Sequence, residues 1–390
     1  MIQKLRNLPS YTWTPITIQE GTILRALAIL AILLHNYLHW VSDSPGENEF
    51  TFRPERGEAF WLGLQQMPLD AIRLFATYFG HYGVQVFFFL SGYGLAAKYL
   101  TPHQATPSFS SPHPSPPSLS WWGFQKKRWR SFFPAIIAAA LGYLVFDGIR
   151  LGWLHVFTTE GVNLIRQMIG ISNFLPDNVY HPIGPWWFIS VILQFYLLAP
   201  FILKATQRYG NLPLYALVAG TFFIERNLGP ALDQSLALNI NHTILGHLDT
   251  CALGIWFARQ KTCRLSLPVL VGALLLFIAG NTSSTLWIST GVSVVIFALP
   301  AMRQVAKKIL QHHGASTVFL YLGNLSMYLF LCNGYLRHPI IDYAQQQANW
   351  WTSIWTCLVF LAIAILWASG LRKLTHMSLS TFRITRPAQK

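Results

Sequence analysis

Charge is what this sequence has least of. Only 11% of its 390 residues are Asp, Glu, Lys or Arg, less than half the ~25% of an ordinary soluble domain. With 53% hydrophobic and 15% aromatic residues, too few charged side chains remain to cover a water-facing surface. That excludes a disordered chain, a coiled coil and a soluble enzyme of this length, and leaves an integral membrane protein. Cysteine is scarce as well. Cys251, Cys263, Cys332 and Cys357 form no C-x-x-C pair, so neither a disulfide framework nor a zinc site is indicated. The first 20 residues lack an apolar run followed by a small-residue cleavage site, so no removable signal peptide is expected. Nothing repeats at a fixed period, which weighs against the inverted repeats common in secondary transporters.

Long apolar runs are abundant. A spanning helix needs about 20 mostly apolar residues, and the chain offers ten such segments, near residues 21–41, 75–99, 132–149, 185–204, 212–225, 243–259, 266–280, 284–302, 315–336 and 351–371. Residues 160–176 are apolar along one stripe but carry Arg166 and Gln167, the pattern of a short interfacial helix on the outer side. Residues 101–120 contain six Pro and six Ser and read as a flexible cytoplasmic linker. The net charge of +14 is strung between the apolar segments and forms no nucleic-acid-binding face. With both termini inside, 20 of the 28 cations fall in inner segments, including Lys126, Lys127, Arg128 and Arg130 before the third span and Arg303, Lys307 and Lys308 after the eighth. Glu20 is the one acidic residue there, while Glu47, Glu49, Glu55, Glu58 and Asp70 crowd the first outer loop. This alternation predicts an all-α polytopic bundle, N-in and C-in, with a cytoplasmic segment 1–20 and a basic cytoplasmic tail 372–390.

Ionisable groups inside spans are costly unless paired or hydrated, so each is a functional candidate. The first span holds Arg25 and, ten residues on, His35, about 15 Å along the helix axis. Asn36 follows, then His39. His35 suits proton transfer near neutral pH. A metal shared by His35 and His39 finds no carboxylate or thiolate spaced to complete the set. In the second span Gly80, Gly83, Gly92 and Gly94 would each weaken an isolated helix by roughly 1 kcal/mol, so a close backbone approach is expected there. His81 and Gln85 share a face of this span, and Ser91 lies deeper. Asp249 is another costly group, with His247 two residues before it. Four cations within five residues, Lys126, Lys127, Arg128 and Arg130, suit a polyphosphate ligand, since Arg grips phosphate bidentately. A nucleotide-bearing donor such as coenzyme A fits them.

Several segments together resemble the membrane-bound acyltransferase family 3. LRALAILAILLH is similar to that family's opening span, with Arg25 and His35 ten apart. GHYGVQVFFFLSGYGL resembles its Gly-rich phenylalanine motif through Phe87, Phe88, Phe89, Ser91 and Gly92. WWFISVILQFYLLAP resembles its Trp, Ser, Tyr and Pro stretch through Trp187, Ser190, Tyr196 and Pro200, and HLDTCALGIWFA and LGNLSMYLFLCN resemble its later spans. The likeness covers about residues 20–370. Three positions depart from it: Ile192 where many members have Glu, Ser131 where an Arg usually precedes the Pro, and Asn333 where a His often ends the Ser-Tyr span.

The resemblance implies a transmembrane acyltransferase domain over residues 21–371. It implies transfer of an acyl group, most often acetyl from cytosolic acetyl-CoA, onto a hydroxyl of an extracytoplasmic glycan at the cell inner membrane, without a metal. Arg25, Lys126, Lys127, Arg128 and Arg130 are then expected to hold the donor. His35 acts as general base or acyl carrier, helped by Asn36, Ser91, Gln85 and Gln194, and Asp249 orients a His from another span. His81, Gln85, Gln194, Trp186, Trp187 and Asn333 are the expected substrate contacts, with Tyr180 and Trp61 as further aromatic surfaces. The rival reading is a transporter or flippase in which Arg25, His35 and Asp249 relay protons.

Overall fold

The computed structural model describes residues 10–41, 46–100, 119–347 and 349–384. Most of the 101–120 linker, Lys4 and Arg6 at the start and Lys390 at the end of the basic tail lie outside them. The helices in chain order are α1 (Ile18–Leu38), α2 (Pro54–Gln66), α3 (Ala71–Phe79), α4 (Gly83–Tyr99), α5 (Trp121–Leu151), α6 (Gly161–Met168), α7 (Trp187–Tyr209) and α8 (Leu212–Phe223). They continue with α9 (Gly229–Leu236), α10 (Leu248–Arg259), α11 (Leu267–Gly280), α12 (Thr290–Gln311), α13 (His313–Leu336), α14 (His338–Gln347) and α15 (Trp350–Ile384). A two-stranded antiparallel ribbon joins β1 (Ser10–Trp13) to β2 (Cys263–Ser266), a small exception to the all-α expectation.

Among the described residues, five helical stretches are long and apolar enough to cross a membrane: Ile18–Leu38, Trp121–Leu151, Gly184–Tyr209, His313–Leu336 and Trp351–Met377. The chain is a multi-pass membrane protein. The other apolar runs are shorter or interrupted helices. The expected span at 75–99 breaks at a 3-10 turn, Gly80–Tyr82. The one at 243–259 is helical only from Leu248, after two 3-10 turns, and the one at 284–302 splits into Ser284–Trp287 and α12. The interfacial segment 160–176 holds the short helix α6, whose buried Gln167 donates to the carbonyls of Val179 and Ile183 at 3.3 and 3.0 Å.

Helix α1 is the centre of the bundle, and glycines let its neighbours reach it. A Cβ on Gly80 would stand 2.6 Å from His35 Cβ, and one on Gly83 would stand 2.6 Å from the Ala28 carbonyl. On the other flank, a Cβ on Gly323 of α13 would collide with the Thr22 carbonyl. Gly92 and Gly254 likewise press α4 and α10 together, each against a carbonyl of the other helix. The close approach expected from the glycines of the second span thus holds at Gly80, Gly83 and Gly92, whereas Gly94 faces open space.

The segment before α1 packs onto the bundle. Thr17 and Glu20 form a capping box at the start of α1, which satisfies two otherwise orphaned N–H groups. Glu20 also pairs with Arg303 at 3.0 Å. Arg303 is 1% exposed, donates to the carbonyls of Thr14 and Pro15, and lies 4.9 Å from the centre of the Trp13 ring. Arg303, expected just after the eighth span, lies within α12, which continues to Gln311 and buries it against the bundle.

Candidate active site

The His35 end of α1 opens on a cavity of about 650 Å³. Its lining includes His35, Asn36, His39, Glu47, Trp187 and Arg337. His35 Nδ1 lies 2.7 Å from the Thr77 carbonyl oxygen. A carbonyl only accepts, so Nδ1 carries the proton, and the Nε2 lone pair is left free for other partners. Local sequence explains this bond. Helix α3 ends at Phe79, which leaves the carbonyls of its last turn without intrahelical partners, and Gly80 brings α1 close enough for His35 to take one of them. The break in the expected second span is what positions the imidazole.

Asn36 donates to Asn333 Oδ1 at 3.0 Å, and Asn333 itself donates to the carbonyls of Leu329 and Phe330. Asn36 Oδ1 therefore remains for the cavity, while Asn333 is fully buried and holds Asn36. Trp187 lines the cavity and meets Phe50 edge to face at 4.8 Å. Trp186 cannot be a substrate surface as expected: it is 0% exposed and its Nε1 donates to the Leu331 carbonyl at 2.8 Å. Trp61 lies elsewhere, in an apolar crevice with Phe60 and Phe277. Tyr180 does line the cavity, 2.6 Å from His242 Nε2. Burial pushes the His242 imidazole down to about 4, which keeps it a neutral acceptor.

The returning first loop delivers groups that sequence spacing does not reveal. Glu47 joins His35 and His39 so that one ligand atom from each lies within 4.8 Å of the others. This corrects the expectation that no carboxylate completes a metal set. Bonds of ~2.1 Å to a tetrahedral zinc would set three such atoms ~3.4 Å apart. Burial raises Glu47, opposed by Arg56, and pushes Glu49 well above the usual carboxyl range, with Glu47 adding to the push.

A second cavity of about 180 Å³ opens at the Arg25 end of α1, lined by Arg25, Ser91, Phe188, Ile192, Tyr196 and Ser326 among others. Arg25 donates to Thr22 Oγ1 at 3.0 Å and has no carboxylate partner among the described residues. Ser91 belongs here with Arg25 and not beside His35, as expected. The basic residues sit on the first turns of α5 and not in a loop. Arg128 lies 5.1 Å over the Tyr196 ring, whereas Lys126, Lys127 and Arg130 are exposed. Arg128 thus borders this cavity through Tyr196, and its three companions face outward. Helix α7 serves both cavities, Trp187 facing one and Phe188 the other.

Asp249, His81 and Gln85 share a third, polar chamber of about 40 Å³ with Glu49, Glu225 and His247, room for a few waters. Both nitrogens of His81 and the Gln85 oxygen are buried without a hydrogen-bond partner among the described residues. Asp249 accepts from the Thr250 N–H at 2.5 Å and from no histidine among the described residues. Because α10 begins at Leu248, Asp249 lies in its first turn, where a carboxylate complements the helix dipole. Gln194 accepts from the Ile244 N–H at 3.0 Å and pins the turn before α10. Among the described residues neither Gln85 nor Gln194 hydrogen-bonds to His35, whose Nδ1 partner is Thr77.

Sequence reasoning missed Thr77 and Arg337, both at this site. A signal for Arg337 existed: it is one of eight cations outside the inner segments. Of the others, Arg73 and Arg150 are paired with Asp70 and Asp147.

The chain belongs to the acyltransferase 3 family: the family model, an acyltransferase domain, matches residues 22–371. It is a membrane acyltransferase. No curated protein and no solved structure matches it significantly.

Proposed function

We propose that this protein is an O-acyltransferase that moves an acyl group, acetyl in the simplest case, from cytosolic acyl-CoA to a hydroxyl of an extracytoplasmic glycan or glycolipid at the cell inner membrane. The observation that carries this reading is the His35 tautomer fixed by the Thr77 carbonyl at 2.7 Å, with Nε2 available beside a cavity large enough for a sugar. In this reading all ten apolar segments, continuous or broken, cross or enter the bilayer. The Arg25 end is cytoplasmic and the His35 end is outer, in keeping with the charge alternation of the loops.

The donor's phosphates dock on the basic turns of α5, with Arg128 nearest the bundle, and its thiol arm enters the Arg25 cavity. Arg25 and His35 stand about 15 Å apart along α1, a span that an extended pantetheine arm can bridge. His35 Nε2 takes the proton of the acceptor hydroxyl as its oxygen attacks the thioester carbonyl. Collapse of the tetrahedral intermediate breaks the C–S bond, and the proton passes from His35 to the departing thiolate. Asn36 Oδ1 and Trp187 orient the acceptor. Ile192, where relatives carry Glu, makes the donor cavity more apolar.

General-base catalysis is worth about 10²- to 10⁴-fold. His35→Gln in nanodiscs is expected to lose transfer by that factor while still binding acyl-CoA. Transfer at the wild-type rate by a folded variant would remove His35 from the chemistry.

A further inference from the structure

A buried guanidinium beside His35 has no carboxylate partner among the described residues. Arg337 is 7% exposed and lines the large cavity. Of its five N–H donors, one bonds to the Asn36 carbonyl at 2.6 Å. Nε has no partner among the described residues, and Nη2 lies beside Gly184. The guanidinium carbon is 5.7 Å from the centre of the Trp40 ring. No carboxylate pairs with Arg337 among the described residues, whereas Arg303, also buried, has Glu20. A position just past the C-terminus of α13 favours a cation through the helix dipole, but that is worth less than desolvating a guanidinium. Burial lowers Arg337 only to about 10, so it stays charged at neutral pH.

The surroundings add to the positive field. Arg53 and Arg56 also line the cavity, and Arg56 spends its Nη1 on the backbone carbonyls of Glu47 and Thr51. The two carboxyls present, Glu47 and Glu49, are both pushed toward their neutral forms by burial. The same charge distribution disfavours a metal ion on the His35, His39 and Glu47 trio, since a divalent cation there would face an uncompensated guanidinium.

We propose that Arg337 is an anion-binding group, and that the acceptor presents a carboxylate or phosphate to it while its hydroxyl meets His35. The second half rests on the acyl-transfer reading; the anion site does not. Planar, bidentate recognition of such a group uses the donors that the protein leaves unpaired. An acidic sugar or a sugar phosphate satisfies both requirements in one molecule.

The test is direct binding, without donor, to the full-length protein in nanodiscs, using methyl β-glucuronide, methyl β-glucoside and glycerol 3-phosphate as probes. One charge-assisted contact predicts that the glucuronide or the phosphate binds about tenfold more tightly than the glucoside. Which of the two anions wins identifies the group that the site prefers. Arg337→Gln is expected to erase the preference, and Arg337→Lys to keep part of it, because it retains the charge and loses the fork. Equal binding of all three probes by wild type would overturn the proposal without any variant, and so would a preference that survives in Arg337→Gln. Anion-selective binding with no transfer from acyl-CoA would uphold the anion site and sink the transfer reading. Transfer to glucoside and glucuronide with equal kcat/KM would do the reverse.

Discussion

Two buried arginines show how differently one bundle treats the same side chain. Near the start of α1, Arg303 is wrapped by Glu20, by the carbonyls of Thr14 and Pro15 and by the Trp13 ring. At the other end, Arg337 has one carbonyl, one indole face and no carboxylate among the described residues. A cation that serves only the fold is paired, because breaking a buried pair leaves a naked charge. A cation kept bare beside a cavity and a free imidazole nitrogen is held ready for a ligand. The contrast separates the structural end of the protein from its reactive end.

The comparison breaks most visibly if the arginines are exchanged in importance. Arg303→Ala leaves the buried Glu20 with the Thr17 N–H and the half-exposed Lys307 at 3.9 Å, and is expected to cost up to about 3–5 kcal/mol, read as a large fall in melting temperature in detergent. Arg337→Gln removes a buried charge that has no carboxylate partner among the described residues and is expected to melt at or above the wild-type temperature. Equal melting of Arg303→Ala and wild type would show that the Glu20 pair does not hold the fold.

A similar pairing sharpens the reactive end. Gly80→Ala places a methyl 2.6 Å from His35 Cβ and 2.7 Å from the Ala31 carbonyl, so α1 must shift away from Thr77. Displacement of about 1 Å can cost roughly 10²-fold in kcat. Gly94→Ala, with nothing within 4 Å, should leave kcat unchanged and stabilise α4 by up to about 1 kcal/mol. Equal kcat in the two variants would contradict the role given to the Thr77 bond.

Much of this was legible in the sequence, for physical reasons that also mark the limit. Arg25 and His35 lie on one helix, so their spacing sets their separation directly, and the glycines at 80, 83 and 92 announced backbone contact before any partner was known. Asp249 misled because hydropathy over a window does not register that the helix begins at Leu248, where the same carboxylate becomes a first-turn residue. Arg337 and Asn36 are 301 residues apart, and Glu47 reaches His35 through a loop with no periodicity. Contacts of that kind have no local pattern to read. The five shorter or broken helices show the same limit: a 3-10 turn within an apolar run leaves its hydropathy unchanged.

Smaller effects test the Arg25 end. Arg128→Ala, losing the cation over Tyr196, is expected to raise the donor KM about fivefold, equivalent to ~1 kcal/mol, while exposed Arg130→Ala changes it little. A KM that responds equally to both would reduce Arg128 to one more surface cation. The smallest effect concerns Glu49. In the unfolded chain a Glu ionises near pH ~4.3, whereas burial holds the folded carboxyl protonated to higher pH. Its contribution to stability is therefore full below the unfolded value and is lost as pH rises through the folded one. Glu49→Gln should flatten the fall in melting temperature as pH rises above roughly 5, and parallel curves for variant and wild type would show that the carboxyl is not held neutral.

The most direct measurement is transfer across a sealed membrane. In proteoliposomes of one protein orientation, acetyl-CoA is supplied only on the side of the α5 basic turns, and a glycan acceptor only on the side of the His35 cavity. Acylated acceptor that appears with the wild type, and at a rate at least about 10²-fold lower with His35→Gln, is the predicted result. Product that forms only when donor and acceptor share one side would contradict the division of labour between the two ends of α1.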